Sequence, residues 1–428
     1  MASKPASALL RRFGGFATSL LFSTAVNLLA IPFVISTLGP GIWGELAVAQ
    51  ATAAIFGVVV AFGWGTVGAA MVASTPVSRR PQLFLDSIVS RLYLFLFAAP
   101  VMFFVLLLLT RVDPLAAAVA SLAYLLPFLG ASWYFIGQAK PWSLLFFDVL
   151  PQGLGVITGV ILLQFFPYAI VFAGSLLAFN IIAVAVGALA AMKGKHETPL
   201  TVNLGFVPAM QRLRNQKFGV IAAGTGTINS NLPMIAVSLV VPSAVPLYAL
   251  TDKLFRFAVA GFGPVLQVVQ GWIPEAGRSR SLERIQLVAK FVPAVGALGG
   301  VLLAVLIPWA SPIFSRGEIT VGYALSIPFG LIFSAVLVAQ VVGLACLIPL
   351  GEGAILAKST ALGAILNIPL MFAMGALYGG SGVAWAVGVS EVVVATFQVL
   401  AVRRHFREQA LKPVPASVQD PGTGPTAP

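Results

Sequence analysis

The sequence predicts an all-α integral membrane protein with about twelve transmembrane helices in two six-helix bundles around a central cavity. Three observations carry this expectation. Hydrophobic residues make up 59% of the 428-residue chain and charged residues only 9%, where soluble domains carry about 25% charged residues. Apolar runs long enough to cross a bilayer, about 20 residues each, recur from end to end. The lysines and arginines also sort by the side on which they fall.

The spans are expected at 13–37, 41–65, 88–110, 114–137, 143–165, 168–192, 218–241, 246–271, 287–312, 320–349, 353–377 and 381–401. The first is too long for a signal peptide and no small-residue cleavage site follows it, so it is expected to remain a span. With the N-terminus inside, two of the 25 lysines and arginines (Arg111 and Arg316) fall outside and two (Lys253 and Arg256) fall within a span; the other 21 lie inside. That asymmetry places both termini in the cytoplasm and the protein in the cell (inner) membrane. It also assigns the net charge of +12 to a membrane surface and not to nucleic acid.

Residues 1–12 form a basic arm, 13–192 the first bundle, 193–217 a cytoplasmic linker, 218–401 the second bundle and 402–428 a cytoplasmic tail. The tail is Pro-, Gly-, Ser- and Thr-rich from Ala410 and is expected to be disordered. Span one ends at Leu38-Gly39-Pro40, and Trp43 fits an interfacial anchor. The run Phe62-Gly63-Trp64-Gly65-Thr66-Val67-Gly68 has nucleotide-loop spacing, but no strand precedes it, so it reads as close helix packing. Asn27 and Pro40 stand at the same spacing as Asn229 and Pro242, as repeated halves would place them. Prolines within spans, such as Pro32, Pro127, Pro233 and Pro264, fit kinked helices around a cavity.

No catalytic constellation stands out. His196 and His405 both fall in cytoplasmic segments and the outer loops are short, so no His-based acid–base site or metal cluster can assemble there. Gly353 to Thr360 ends like a phosphate loop but lacks its glycines and opens a span. The single Cys346 rules out an intramolecular disulfide and reads as a small core residue. The chain is expected not to be an enzyme and to need no cofactor or metal.

What remains is a set of ionisable groups inside spans, where each charge costs at least a few kcal/mol. Asp252 and Arg256 are four apart and can pair; Lys253 lies about 100° around the helix. One reading is a structural pair packed against span seven, whose Thr225, Thr227, Asn229 and Asn231 offer hydrogen bonds. The other starts from the surplus charge: one carboxylate cannot neutralise two cations, so the cluster holds an anionic substrate group. Arg91 and Lys358, near the inner ends of spans three and eleven, either join that lining or snorkel. Asp148 and Glu391 are the other acids within spans; they either couple transport to an ion or brace helix contacts.

Four features resemble a known family. They are Leu38-Gly39-Pro40 with Trp43-Gly44; Trp133-Tyr134-Phe135 with Gly137-Gln138; the stretch from Tyr248 to Arg256 with Thr251-Asp252 at its middle; and Gly380-Ser381-Gly382-Val383-Ala384 opening span twelve. In order and spacing the chain is similar to polysaccharide flippases of the Wzx type, in the multidrug/oligosaccharidyl-lipid/polysaccharide exporter superfamily. The resemblance implies a V-shaped pair of six-helix bundles about a basic cavity. It also implies transport of a polyprenyl-diphosphate-linked oligosaccharide from the inner to the outer leaflet by alternating access. It gives Lys253 and Arg256 a diphosphate-binding role, with membrane lipids, a glycan polymerase and glycosyltransferases as partners. Two alternatives stand beside it: a cation-coupled multidrug exporter of the same fold, and a non-transporting membrane scaffold of a glycan synthase.

Overall fold

The computed structural model describes residues 4–193, 199–214, 216–275 and 277–411. His196, Thr198 and the tail beyond 411 lie outside them. All regular structure among the described residues is helical. The first half comprises α1 (Lys4–Ala61), α2 (Trp64–Ser74), α3 (Arg80–Leu109), α4 (Pro114–Leu125), α5 (Ser132–Gly137), α6 (Pro141–Leu144), α7 (Leu150–Leu163) and α8 (Ala169–Met192). A short α9 (Phe206–Arg214) lies within the segment expected to be a plain loop. The second half comprises α10 (Lys217–Val240), α11 (Val245–Glu275), α12 (Gly277–Ser315), α13 (Tyr323–Val341) and α14 (Gly353–Leu411).

Helix lengths and composition make this a multi-pass membrane protein. Nine segments among the described residues are long and apolar enough to cross a bilayer. Two of them, at Gly14–Ser74 and Gly353–Glu408, are double-length. Each breaks at a glycine in the left-handed region: Gly39 at φ 82° and Gly379 at φ 67°. A side chain is strained there, so glycine is what lets the chain turn. Residues on both limbs of α1 line one cavity, and a Cβ on Gly375 would lie 2.9 Å from Val383 across the turn in α14. Both helices therefore fold back as two spans. α10, 24 residues long and packed against α1 and α14, has the length of a further crossing. The arrangement agrees with two groups of six.

Local chemistry fixes the shorter breaks. Asp113 caps α4, accepting hydrogen bonds from the backbone of Leu115 at 2.9 Å and Ala116 at 3.3 Å, with Pro114 at the first helical position. The Trp133-Tyr134-Phe135 run forms an aromatic core with Trp64 and Phe84. Gly68 is needed beneath it, since a Cβ there would lie 2.5 Å from Trp133. Within the glycine run Gly63 makes the turn at φ 81° and Gly68 serves packing.

At the Gly39 end the halves close on each other. Ile31, Ile35, Trp43 and Leu46 share one buried cluster with Met234, Val237, Val245 and Tyr248. Arg316 of the second half stacks on Phe33 at 4.2 Å and donates to Ser36 at 3.3 Å. Trp43 is not an interfacial anchor: it is 5% exposed, because the fold turns it inward against the opposite half.

Candidate functional site

One face of α11, including Tyr248, Thr251 and Leu254, is buried, and Tyr248 packs edge-on against Phe329. Registering that face leaves Asp252, Lys253 and Arg256 only partly covered. Arg256 Nε donates to Asp252 Oδ2 at 2.6 Å, and Arg256 Nη2 donates to the Ser230 carbonyl of α10 at 2.6 Å. Nη1 makes no hydrogen bond among the described residues. The brace from span seven is therefore a backbone carbonyl and not an asparagine side chain.

Lys253 points the other way. Its Nζ donates to Gln50 Oε1 of α1 at 2.6 Å, linking the two halves. Gln50 is neutral, so the triad keeps one positive charge in excess. The same two residues line a cavity of about 490 Å³ in the first half. Lys253 is the one wall residue from the second half among the described residues. Asn27, Gln152, Asn180 and Asp148 are among the rest of its polar wall, with Ile31, Trp43, Val156 and Phe172 among the apolar part. Asp148 sits on a π-helical turn, Leu145–Val149, a distortion often found at functional positions.

The remaining expected site residues part company with this cluster. Arg91 does not line the cavity. It is 1% exposed, and its Nη1 donates to the carbonyls of Phe128 at 3.0 Å and Gly130 at 3.2 Å. Its Nη2 donates to Ser87 Oγ at 3.1 Å, and its guanidinium lies over Trp133 at 5.5 Å. It holds the broken end of α4 in place, and the whole side chain is enclosed by that task. Lys358 is exposed and outside the cavity wall.

Asn229 belongs to a second polar site. Its Nδ2 donates to Glu391 Oε1 at 3.0 Å, and Asn367 Nδ2 donates to Asn229 Oδ1 at 3.0 Å. Asn367 Oδ1 is buried with no partner among the described residues. Asn229 therefore groups with Glu391 and not with the cations of α11. Gln50, Gln152, Asn180 and Asn367 carry no charge and do not stand out in the sequence. A lone amide inside an apolar run was the available signal.

No protein-family model and no curated protein matches the chain by sequence. Solved structures do match in fold. The lipid II flippase MurJ, in an inward closed conformation, aligns with a TM-score of 0.67 at 14% identity, over 91% of this chain and 87% of its own. An inward-facing multidrug resistance MATE family transporter of the MOP superfamily aligns at 0.61 and 13% identity, over 91% and 95%. A MATE structure in complex with MaD3S aligns at 0.54 and 12% identity, over 95% and 97%. At such identities the likeness establishes the fold. The chain has the all-helical, multi-pass architecture shared by the MurJ flippase and the MATE transporters.

Proposed function

We propose that this protein is a flippase. It carries a polyprenyl-diphosphate-linked oligosaccharide from the inner to the outer leaflet by alternating access, for export of a cell-surface polysaccharide. The observation that carries the reading is the α11 triad: two cations and one carboxylate, beside a largely apolar cavity whose polar wall includes the amides of Asn27, Gln50, Gln152 and Asn180. A surplus cation in the bilayer calls for an anion. Arg256, with a free donor edge, suits bidentate contact with a phosphate, and Lys253 adds a point charge at the cavity wall. Asn27, Gln152 and Asn180 offer the neutral hydrogen bonding that sugar hydroxyls require. Substrate binding would draw Arg256 from Asp252 and Lys253 from Gln50, and so loosen a link between the halves.

In this reading both termini are cytoplasmic, the protein lies in the inner membrane, and residues 13–192 and 218–401 act as the two moving bundles. Glu391 and Asp148 are the candidates for ion coupling. Glycosyltransferases and a glycan polymerase are the partners that would make and extend the cargo. The chain carries out no covalent chemistry in this reading.

A cation-coupled multidrug exporter is the second reading. The observation favouring it is Asp148, an acid on the wall of the same cavity. Purified protein in nanodiscs, titrated with polyprenyl-diphosphate sugars and with lipophilic cations, separates the two. Binding of the diphosphate lipid that weakens in Arg256→Ala supports the flippase. Cation binding that depends on Asp148, with no binding of the diphosphate lipid, overturns it.

A further inference from the structure

The linker between the halves is built differently from an aqueous loop. Thr201 exchanges both backbone hydrogen bonds with Gln82: Gln82 Nε2 donates to its carbonyl at 2.9 Å, and its own N–H donates to Gln82 Oε1 at 3.0 Å. Tyr93 donates its hydroxyl to the Leu204 carbonyl, and its ring meets Phe206 edge-on at 5.8 Å. Arg212 then pairs with Asp86 at 2.9 Å. Gln82, Asp86 and Tyr93 fall within about 40° of one another around α3, a single stripe.

The depths follow from helix geometry. α3 has 30 residues, about 45 Å of length, enough to cross a bilayer with its headgroups. Gln82 and Tyr93 are separated by about 16 Å along its axis. The linker thus starts near the basic end of α3, descends toward Tyr93 by Leu204, and returns to the level of Asp86 by Arg212. At the deep point its neighbours on α3 include Leu96 and Phe97, exposed to 60% and 69%, a surface made for lipid.

The descending stretch exposes Val202, Leu204, Phe206 and Val207, each at 60% or more. Such a concentration of apolar side chains is unfavourable in water. Backbone polar groups that leave water must find protein partners; Gln82 supplies both to Thr201 and Tyr93 one to the Leu204 carbonyl. On α9, Ala209 and Leu213 are buried. The uncovered side runs from Phe206 and Val207 through Met210 to Gln211 and Arg214, around a shallow groove. Arg79 and Lys193 are exposed at the same end of the bundle, near where α3 begins and α8 ends. Phe206 stands at the level of Tyr93 and Arg212 at that of Asp86, so α9 climbs along α3 with its apolar end deep in the leaflet and Arg214 at its shallow end, beside anionic headgroups.

We infer that residues 202–214 form an interfacial anchor that inserts into the leaflet on the basic side of the protein and binds a surface of anionic phospholipid. Being covalently joined to both halves, the anchor fixes the linker to the leaflet while the halves move.

Spin labelling of the full chain in vesicles tests this. Cys346 is buried and is the single cysteine, so Cys346→Ala gives a background for single labels at Val207, at Leu96 as a lipid reference and at Ser243 as a water reference. Power saturation with oxygen and with a nickel chelate is compared in phosphatidylcholine vesicles and in vesicles containing phosphatidylglycerol. The label at Val207 is expected to follow Leu96, oxygen-accessible and closed to the chelate, about 5–10 Å below the headgroups. Adding Arg214→Glu is expected to raise it toward water in the phosphatidylglycerol vesicles only. A Val207 label that follows Ser243 in both vesicles overturns the anchor and leaves the apolar stretch to a protein partner. A depth that ignores both Arg214→Glu and lipid charge overturns the anionic surface.

Discussion

Replacing Arg256 by alanine separates the role of its charge from the role of its packing. Two hydrogen bonds are lost, one to Asp252 and one to the Ser230 carbonyl. The Arg256 side chain is 41% exposed and the Asp252 side chain 16%, so the abandoned carboxylate is partly solvated and can turn to Lys253, its neighbour on α11. Removing one partner of a fully buried pair costs about 3–5 kcal/mol, and an exposed pair is worth about 0–1 kcal/mol. This site lies between, and a loss of about 1–2 kcal/mol in stability is expected, which leaves the protein inserted. The effect on transport is larger. A hydrogen bond to a charged group is worth about 1.5–3 kcal/mol, and in the flippase reading losing about 2–3 kcal/mol at the diphosphate lowers substrate affinity roughly 30- to 150-fold. Arg256→Lys restores part of this, because an ammonium keeps the charge without the planar fork. Asp252→Ala is milder, since it frees Arg256 for the substrate while Lys253 keeps its hydrogen bond to Gln50. The assay is flipping of a fluorescent polyprenyl-diphosphate sugar in reconstituted vesicles, with detergent melting as the stability control. Normal flipping in Arg256→Ala together with inactive Asp252→Ala refutes the anion site and makes Asp252 the working group.

Three further outcomes follow from the geometry. Gln50→Ala removes the hydrogen bond from Lys253 between the halves and is expected to shift the balance toward the state parted at α11 by about tenfold or more; distances between spin labels on α1 and α11 report it. Gly330→Leu places a Cβ 2.4 Å from the Gly300 carbonyl, where α12 and α13 cross; a destabilisation of at least about 1–3 kcal/mol should appear in melting, while Gly65→Ala, which meets nothing within 4 Å, should be nearly silent. Cysteines at Ser243 and Ser381 in a Cys346→Ala background should react with impermeant reagents from outside and one at Thr198 should not; the reverse pattern inverts the orientation drawn from the basic residues.

Span positions were legible because the bilayer imposes length and apolarity, two properties a single sequence displays directly. The turns at Gly39 and Gly379 were also legible, since glycine between apolar runs marks them. Tertiary roles were not. Trp43 reads as an interfacial residue by position, yet the opposite half covers it. Arg91 reads as either a cavity cation or a snorkelling one, yet its charge is held by the carbonyls of Phe128 and Gly130, which only the broken end of α4 exposes. Backbone acceptors are invisible to any search for charged partners. α9, by contrast, was readable: Phe206, Val207, Met210 and Leu213 recur at helical spacing within the linker. The i, i+4 pairing of Asp252 with Arg256 was readable from spacing alone, whereas the link from Lys253 to Gln50 joins residues of different halves and needed the fold.

The two acids inside the membrane make a sharper contrast than their shared charge suggests. Glu391 accepts from Asn229, which accepts from Asn367. This chain of amides ends on the carboxylate and ties α10 to both limbs of α14. Asp148 faces the cavity itself. A bracing residue needs an acceptor and a coupling residue needs a proton that leaves, and amide substitution tells these apart. Glu391→Gln keeps an oxygen that can accept from Asn229 and removes the titration; Asp148→Asn does the same on the cavity wall. In vesicles with an imposed pH gradient, flattened dependence of flipping on the gradient in Glu391→Gln, with the melting temperature retained, assigns coupling to the second half. Retained dependence there, with flattening in Asp148→Asn, moves coupling to the cavity and places ion and substrate in one compartment, where each must leave before the other binds. Retained dependence in both variants removes both acids from coupling, and Glu391 is then a brace whose loss in Glu391→Ala should lower stability by about 1–3 kcal/mol by leaving Asn229 without its acceptor.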